Sequence, residues 1–78
     1  MNEHYKQHSI EPIDVIDEYD LNFNLGNAIK YILRSKYKGS ELQDLVKAKT
    51  YLEYEISKQE KLLVNVIEER LNDQRWIN

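Results

Sequence analysis

The longest stretch without a helix-breaking residue runs from Glu41 to Arg75, and it constrains the fold more than any other feature. The 78-residue chain holds two Gly and one Pro, and none of the three lies in this stretch. Because Gly and Pro are the residues that most often interrupt a helix, the stretch predicts one helix of about 35 residues, roughly 50 Å long. A chain of this length has room for only one small domain around it.

Two shorter helices are predicted before the long one. The first begins near Ser9, which can act as its N-cap, and tolerates Pro12 in its first turn. The second is predicted to begin at Leu25, with Asn24 as its N-cap. Its core-facing positions are apolar and follow the helical period: Leu25, Ala28, Ile29, Ile32 and Leu33. The scarcity of turn residues disfavours a many-stranded sheet, so we expect an all-α fold with two short helices packed on one long C-terminal helix.

The long helix has more apolar surface than two short helices can cover. The positions expected to face them share one stripe: Leu42, Leu45, Ala48, Leu52 and Ile56. The apolar residues left without an intramolecular partner lie further on: Leu62, Leu63, Val66, Ile67, Leu71 and Trp76. Either the chain breaks near Ser57 and folds back, or this part meets another subunit. Since residues 58–61 are good helix formers, we expect an unbroken helix and a homo-oligomer.

These elements divide the chain into three parts. Residues 1–8 are polar and lack an apolar period, so they are predicted to form an N-terminal arm. Residues 9–56 are predicted to form a three-helix domain that binds a nucleotide. Residues 57–78 are predicted to be a helical extension used for oligomerisation.

Charge is distributed unevenly along the chain. Residues 1–20 carry a net charge of −5, residues 21–40 carry +4, and the remainder carries −2, which gives the total of −3. The acidic and basic segments either neutralise each other or hold a metal ion and a phosphate together.

A line of hydrogen-bond donors lies on the polar face of the second predicted helix. Lys30 and Arg34 are one turn apart and suit a phosphate, Lys as a point charge and Arg through its bidentate fork. Asn27 lies one turn earlier on the same line. The candidates that complete a nucleotide site are Tyr31 and Tyr51 for stacking on a base, and Lys47 as a further donor. The alternative is that Lys30 and Arg34 form salt bridges with acids of the first and third helices.

Carboxylate pairs at i, i+3 spacing form the second candidate feature. Glu11 and Asp14 form one pair, Asp14 forms another with Asp17, and Glu41 pairs with Asp44. Mg²⁺ is commonly held by one or two carboxylates together with substrate phosphates, so Glu11, Asp14 and Asp44 are candidate metal ligands. The alternative is an ordinary solvated acidic face.

Several classes of protein are disfavoured by what the sequence lacks. It contains no Cys, which excludes a disulfide framework and a thiol nucleophile. It has no apolar run typical of a membrane span or a signal peptide, so we expect a soluble protein inside the cell. There is no Gly-rich phosphate loop and no dinucleotide fingerprint. A pI near 5.3 disfavours nucleic-acid binding.

Four segments resemble a small phage-encoded family of domains of unknown function whose members are often described as nucleotide kinases. The matching residues are His4-Tyr5, the stretch from Ile10 to Ile16, the stretch from Asn24 to Arg34, and Asp44-Leu45 with Lys47-Ala48 and Tyr51-Leu52. The resemblance covers residues 4–56, and Gly26-Asn27-Ala28-Ile29-Lys30-Tyr31 is its most specific part. It implies a phage or prophage origin, a nucleotide ligand and the cytoplasm of an infected bacterial host.

The resemblance also implies which residues form the site. By matching position these are His4, Tyr5, Glu11, Asp14, Asn27, Lys30, Tyr31, Arg34, Asp44, Lys47 and Tyr51. We expect a nucleotide-binding protein, with nucleoside monophosphate kinase activity as the candidate reaction. Glu11, Asp14 and Arg34 would be its catalytic residues, and ATP or another nucleotide with Mg²⁺ its ligands.

Two other functions remain open at this stage. One is a non-enzymatic phage protein that sequesters a nucleotide or binds a host protein. The other is an Mg²⁺-dependent nucleotide pyrophosphohydrolase that uses two acid pairs, Glu11 with Asp14 and Glu41 with Asp44.

Overall fold

The computed structural model describes residues 8–37 and 39–77, with side chains through residue 73. The described residues form three helices and no strand: α1 (Pro12–Glu18), α2 (Phe23–Arg34) and α3 (Glu41–Ile77). The predicted all-α class is confirmed. So is the unbroken long helix, since α3 passes through Ser57 without interruption. None of these helices is both long enough and apolar enough to cross a membrane.

Helix α1 starts later than predicted. It spans seven residues, and its N-cap is Glu11, so the prediction of Ser9 as the cap is wrong. The carboxylate Oδ2 of Asp14 accepts a hydrogen bond from the backbone N–H of Glu11 at 2.8 Å, which satisfies a donor that the helix leaves free. Pro12 occupies the first turn as predicted, where its missing N–H has no cost.

Helix α2 begins two residues earlier than predicted. Its N-cap is Asn22, whose side-chain oxygen accepts from the backbone N–H of Leu25 at 2.9 Å. The predicted cap, Asn24, lies inside the first turn instead. Asn22 and Asn24 are both residue types that commonly cap a helix. Phe23 is 75% exposed and does not belong to the buried stripe, so apolar periodicity did not mark it as the first residue of the helix.

The three helices pack in series. Among the described residues, α1 packs on α2 and α2 packs along α3, so the expectation that both short helices lie on the long one is corrected. The α1–α2 contact is close at Gly26, which is buried. A Cβ built there would lie 3.4 Å from Cγ2 of Ile16. The Gly26 N–H donates to the Asn22 carbonyl at 2.7 Å, so this glycine serves helix packing and does not expose its N–H to a ligand.

The face that α3 turns toward α2 agrees with the prediction at Ala48 but differs elsewhere. Its buried residues are Asp44, Ala48 and Glu55, whereas Leu42 and Ile56 are 75% and 56% exposed. Apolar periodicity could not find this face, because two of its three buried residues carry charge. Beyond the α2 contact, the apolar side chains of α3 are about half exposed: Leu62, Leu63, Val64, Val66, Ile67 and Leu71.

Candidate functional site

Three cationic side chains surround the ring of Tyr31. The Nζ atom of Lys30 lies 4.8 Å from the ring centroid, Cζ of Arg34 lies 5.2 Å from it, and Nζ of Lys47 lies 5.3 Å from it. We call Lys30, Arg34 and Lys47 the cationic cluster. Each cation is attracted to the aromatic face, but three positive charges around one ring repel one another, which favours an anion beside them.

The cationic cluster is assembled from two helices. Lys30 and Arg34 are one turn apart on α2, and Lys47 reaches the same ring from α3. The sequence pattern predicted that these residues would meet if the Lys47 face turned toward the second helix, and the packing of α2 along α3 places them together. The site is therefore a junction between helices rather than a loop.

Arg34 is partly committed to the fold. Its Nε donates to Oδ2 of Asp44 at 3.3 Å, and the Asp44 side chain is 1% exposed. The other carboxylate oxygen, Oδ1, is buried without a hydrogen-bond partner. The salt-bridge alternative of the sequence analysis therefore holds for Arg34.

The two lysines of the cationic cluster differ from Arg34 in their ion pairing. Within residues 8–37 and 39–73, neither Lys30 nor Lys47 forms an ion pair with a carboxylate. Lys47 is exposed and Lys30 is half-buried, so both ammonium groups remain available to a ligand.

Aromatic rings extend the surface next to the cationic cluster. The rings of Tyr31 and Tyr51 are stacked, with centroids 6.0 Å apart and planes inclined by 14°. Phe23 and Tyr54 meet Tyr51 edge to face at 6.0 and 5.8 Å. Phe23 is 75% exposed and Tyr54 is 58% exposed, so these two rings offer accessible flat faces to a planar ligand.

A surface groove of about 390 Å³ lies between α1 and the side of α2 that carries Lys30 and Arg34. Its polar lining residues are Glu11, Lys30 and Arg34, and its apolar lining residues are Pro12, Ile13 and Ile16. One exposed carboxylate and two members of the cationic cluster therefore share one groove. This groove is the place where the acidic and basic segments of the sequence meet.

The three carboxylates predicted as metal ligands have different surroundings. Glu11 lines the groove, Asp14 accepts from the Glu11 backbone, and buried Asp44 pairs with Arg34. Among the residues that the structure describes, no three His, Asp or Glu side chains come together as a metal-binding group.

The remaining predicted site residues contribute less to this surface. The side-chain amide of Asn27 donates to the Phe23 carbonyl at 2.8 Å, so one of its donors is used within α2. His4 and Tyr5 lie outside the described residues, as does the predicted arm up to residue 7. His8, at the end of that arm, contacts the ring of Tyr37 edge to face with centroids 4.9 Å apart.

Glu55 is a buried charged residue that the sequence analysis missed. Its Oε1 accepts from the side-chain amides of Asn22 at 3.0 Å and Asn24 at 3.2 Å. Its Oε2 accepts from the side-chain amide of Gln59 at 2.8 Å, and the ammonium group of Lys58 lies 3.5 Å from Oε1. The hydrogen bond from Gln59, helped by those from the two Asn residues and by the Lys58 charge, lowers the pKa of Glu55 against the opposing effect of burial.

The Glu55 network joins the start of α2 to the middle of α3. No local pattern could have predicted it, because Asn22 and Glu55 are 33 residues apart in sequence.

Comparison with known proteins gives a family but no function. The family model of DUF3310, described as proteins of unknown function, matches residues 1–53. This range includes the cationic cluster and the groove, and it ends before the exposed distal part of α3. No curated protein and no solved structure matches the chain.

Proposed function

This chain belongs to the DUF3310 family, and we propose that it binds a nucleotide, with the phosphate at the cationic cluster. The observation that carries the proposal is the placement of two lysines, one from α2 and one from α3, beside the same tyrosine ring, neither of them paired with a carboxylate among the described residues. Lys30 and Lys47 both lie within 5.3 Å of the Tyr31 centroid. A phosphate between them would be bound by charge-assisted hydrogen bonds and would relieve their mutual repulsion.

The aromatic surface supports a nucleotide rather than an inorganic anion. Phe23 and Tyr54 are exposed rings that contact Tyr51, which in turn stacks on Tyr31, and a purine or pyrimidine can stack on such a face. The ring of Tyr31 is already covered by cations and by Tyr51, so its role is to hold the lysines in place. The stacking residue is then one that the sequence analysis did not select.

Phosphoryl transfer is the second candidate function, and the groove between α1 and α2 favours it. There the Glu11 carboxylate shares a cavity with Lys30 and Arg34. Transfer of the γ-phosphoryl group of ATP to a nucleoside monophosphate breaks one P–O bond and forms another, and it needs mainly positioning and charge neutralisation. Lys30 and Arg34 would neutralise the phosphoryl oxygens. Glu11 is the candidate carboxylate for Mg²⁺, which enters bound to phosphates and needs few protein ligands.

The pyrophosphohydrolase alternative has less support. Its second acid pair consists of Glu41, which pairs with Lys36 at 2.7 Å, and Asp44, which pairs with Arg34. Both carboxylates therefore have partners within the fold. A binding protein without catalysis remains the plainest form of the proposal. A phage origin, as the resemblance implies, would place its ligand in the nucleotide pool of the bacterial cytoplasm.

Calorimetric titration with a nucleoside monophosphate, the matching triphosphate and the nucleoside without phosphate tests the proposal. We expect both nucleotides to bind, with an affinity that falls as salt is raised, and the nucleoside to bind far more weakly. Equal binding of nucleoside and nucleotide would contradict a phosphate site. Incubation of ATP with the monophosphate then separates the two functions, since a kinase forms two diphosphates and a binding protein leaves both nucleotides unchanged.

A further inference from the structure

The exposed distal part of α3 carries a helical seam that the nucleotide proposal does not use. Its positions follow a four-three-four-three spacing, which keeps one side of a helix facing a partner helix. We call these residues the distal seam: Ile56, Glu60, Leu63, Ile67 and Arg70. All five are exposed, and Leu63 and Ile67 are 62% and 49% exposed.

The charges of the distal seam are placed symmetrically about its apolar centre. Glu60 lies three residues before Leu63, and Arg70 lies three residues after Ile67. If a second copy runs antiparallel with Leu63 opposite Ile67, then Glu60 lies opposite Arg70 at both ends of the contact. Val64 and Val66 flank the seam on its two sides, and each would lie beside its own copy close to the two-fold axis, so apolar residues meet apolar residues.

A parallel arrangement lacks this complementarity. In register, it would place Glu60 against Glu60 and Arg70 against Arg70, and like charges at seam positions are unfavourable. The distal seam therefore distinguishes between the two orientations.

We propose that this chain forms an antiparallel homodimer through the distal seam, with the two-fold axis near residue 65. The partner is a second copy because the part of the seam from Glu60 to Arg70 is complementary to itself in charge and in apolar positions, as a two-fold interface requires. The family match ends at residue 53, before the seam begins, so the dimer is a property of this chain's extension rather than of the matched region.

The dimer leaves the two cationic clusters far apart. Lys47 lies 18 residues before the axis, which is roughly 27 Å along α3 at the helical rise. The two sites would then be separated by about 50 Å, one at each end of a long helical pair. Dimerisation and nucleotide binding are independent, so failure of one proposal leaves the other standing.

Disulfide trapping tests the orientation directly, because the chain contains no natural cysteine. We expect an oxidised mixture of the Glu60→Cys and Arg70→Cys variants to form the mixed disulfide dimer efficiently. Each variant alone should form little dimer, since the identical positions lie on opposite sides of the axis, beyond disulfide reach. Efficient dimerisation of Glu60→Cys alone would establish a parallel pair and overturn the proposal, as would the absence of a mixed dimer.

Charge reversal provides a second readout that does not depend on oxidation. Glu60→Arg should raise the dimer dissociation constant about tenfold in sedimentation equilibrium, and adding Arg70→Glu should restore it. The matched control is Glu68→Arg, an exposed charge reversal about 120° around the same helix from the seam centre, which should leave the constant unchanged. Equal weakening by Glu60→Arg and Glu68→Arg, or a monomeric wild-type chain, would overturn the proposal.

Discussion

Nε of Arg34 lies 3.3 Å from Oδ2 of Asp44, and this ion pair joins the end of α2 to the first turn of α3. The Asp44 side chain is 1% exposed, while the Arg34 side chain is 28% exposed. A residue that the sequence pattern assigns to a phosphate is therefore also the partner that compensates a buried charge. Loss of Arg34 would remove both roles at once, so activity measurements on Arg34 variants alone do not identify a ligand contact.

Arg34→Ala is predicted to destabilise the fold by about 1–3 kcal/mol, because it leaves the Asp44 carboxylate buried without a charged partner. Urea unfolding followed by circular dichroism measures the loss. The comparison is Lys36→Ala, which removes the ion pair with Glu41 at the same helix junction. The Lys36–Glu41 pair is shorter, at 2.7 Å, but it is exposed, and exposed ion pairs contribute little to the free energy of unfolding.

We expect Lys36→Ala to unfold at nearly the wild-type urea concentration. A loss as large as that of Arg34→Ala would mean that burial of Asp44 does not distinguish the two pairs.

Glu55 makes the free energy of unfolding depend on pH in a predictable direction. Its pKa in the folded protein lies below the ordinary value of 4.5, so its charged form is stabilised by folding. This contribution is fully present above pH 4.5 and is lost as the pH falls through the lowered pKa. Unfolding of wild type and Glu55→Gln across this range should therefore show a stability difference that shrinks toward acid.

Glu53→Gln is the matched control, since Glu53 is exposed and two residues away on the same helix. Glu53→Gln should leave the free energy of unfolding at neutral pH close to that of wild type, because an exposed substitution away from the Glu55 network has little effect. A Glu55→Gln difference that stays constant with pH would show that the hydrogen bonds from Gln59, Asn22 and Asn24 do not lower the pKa of Glu55.

The fold class and the length of α3 followed from the sequence because they depend on local features. The absence of Gly and Pro after Gly39 predicted one long helix, and α3 runs to Ile77. The helix starts were less accurate, since Asn22 and Asn24 suit a cap equally well. The buried face of α3 was predicted only at Ala48, because Asp44 and Glu55 are buried through hydrogen bonds and an ion pair to other parts of the fold, and hydrophobic patterning does not include such pairs.

The close contact at Gly26 predicts an unusual response to substitution. Ala at this position should raise the free energy of unfolding by about 0.5–1 kcal/mol, because Ala has a higher helix propensity than Gly. The added Cβ would lie 3.4 Å from Ile16, which is an ordinary contact distance. Gly26→Leu, by contrast, has no space against Ile16 and should destabilise the protein by about 1–3 kcal/mol.

Chemical denaturation of the two Gly26 variants measures both effects. Destabilisation by Gly26→Ala would show that α1 approaches α2 more closely than the contact distance indicates.

The candidate site was only partly predictable. Lys30, Arg34 and Lys47 were selected by type and helical spacing, and they meet at Tyr31 because α2 packs along α3. The exposed ring of Phe23 was not selected, since its position beside Tyr51 depends on tertiary packing. Nor could spacing distinguish Arg34 from Lys30 and Lys47, which have no carboxylate partner in the part of the chain that the structure describes, because the partner of Arg34 lies on another helix.

The most direct test of the proposed phosphate site compares Lys47→Gln with Lys49→Gln by calorimetric titration of a nucleoside monophosphate. Both lysines are exposed on α3, but only Lys47 lies at the Tyr31 ring. We predict that Lys47→Gln weakens binding about tenfold, the size of one lost charge-assisted hydrogen bond, and that Lys49→Gln leaves the affinity unchanged. Equal affinities of wild type and Lys47→Gln would contradict a phosphate site at the cationic cluster.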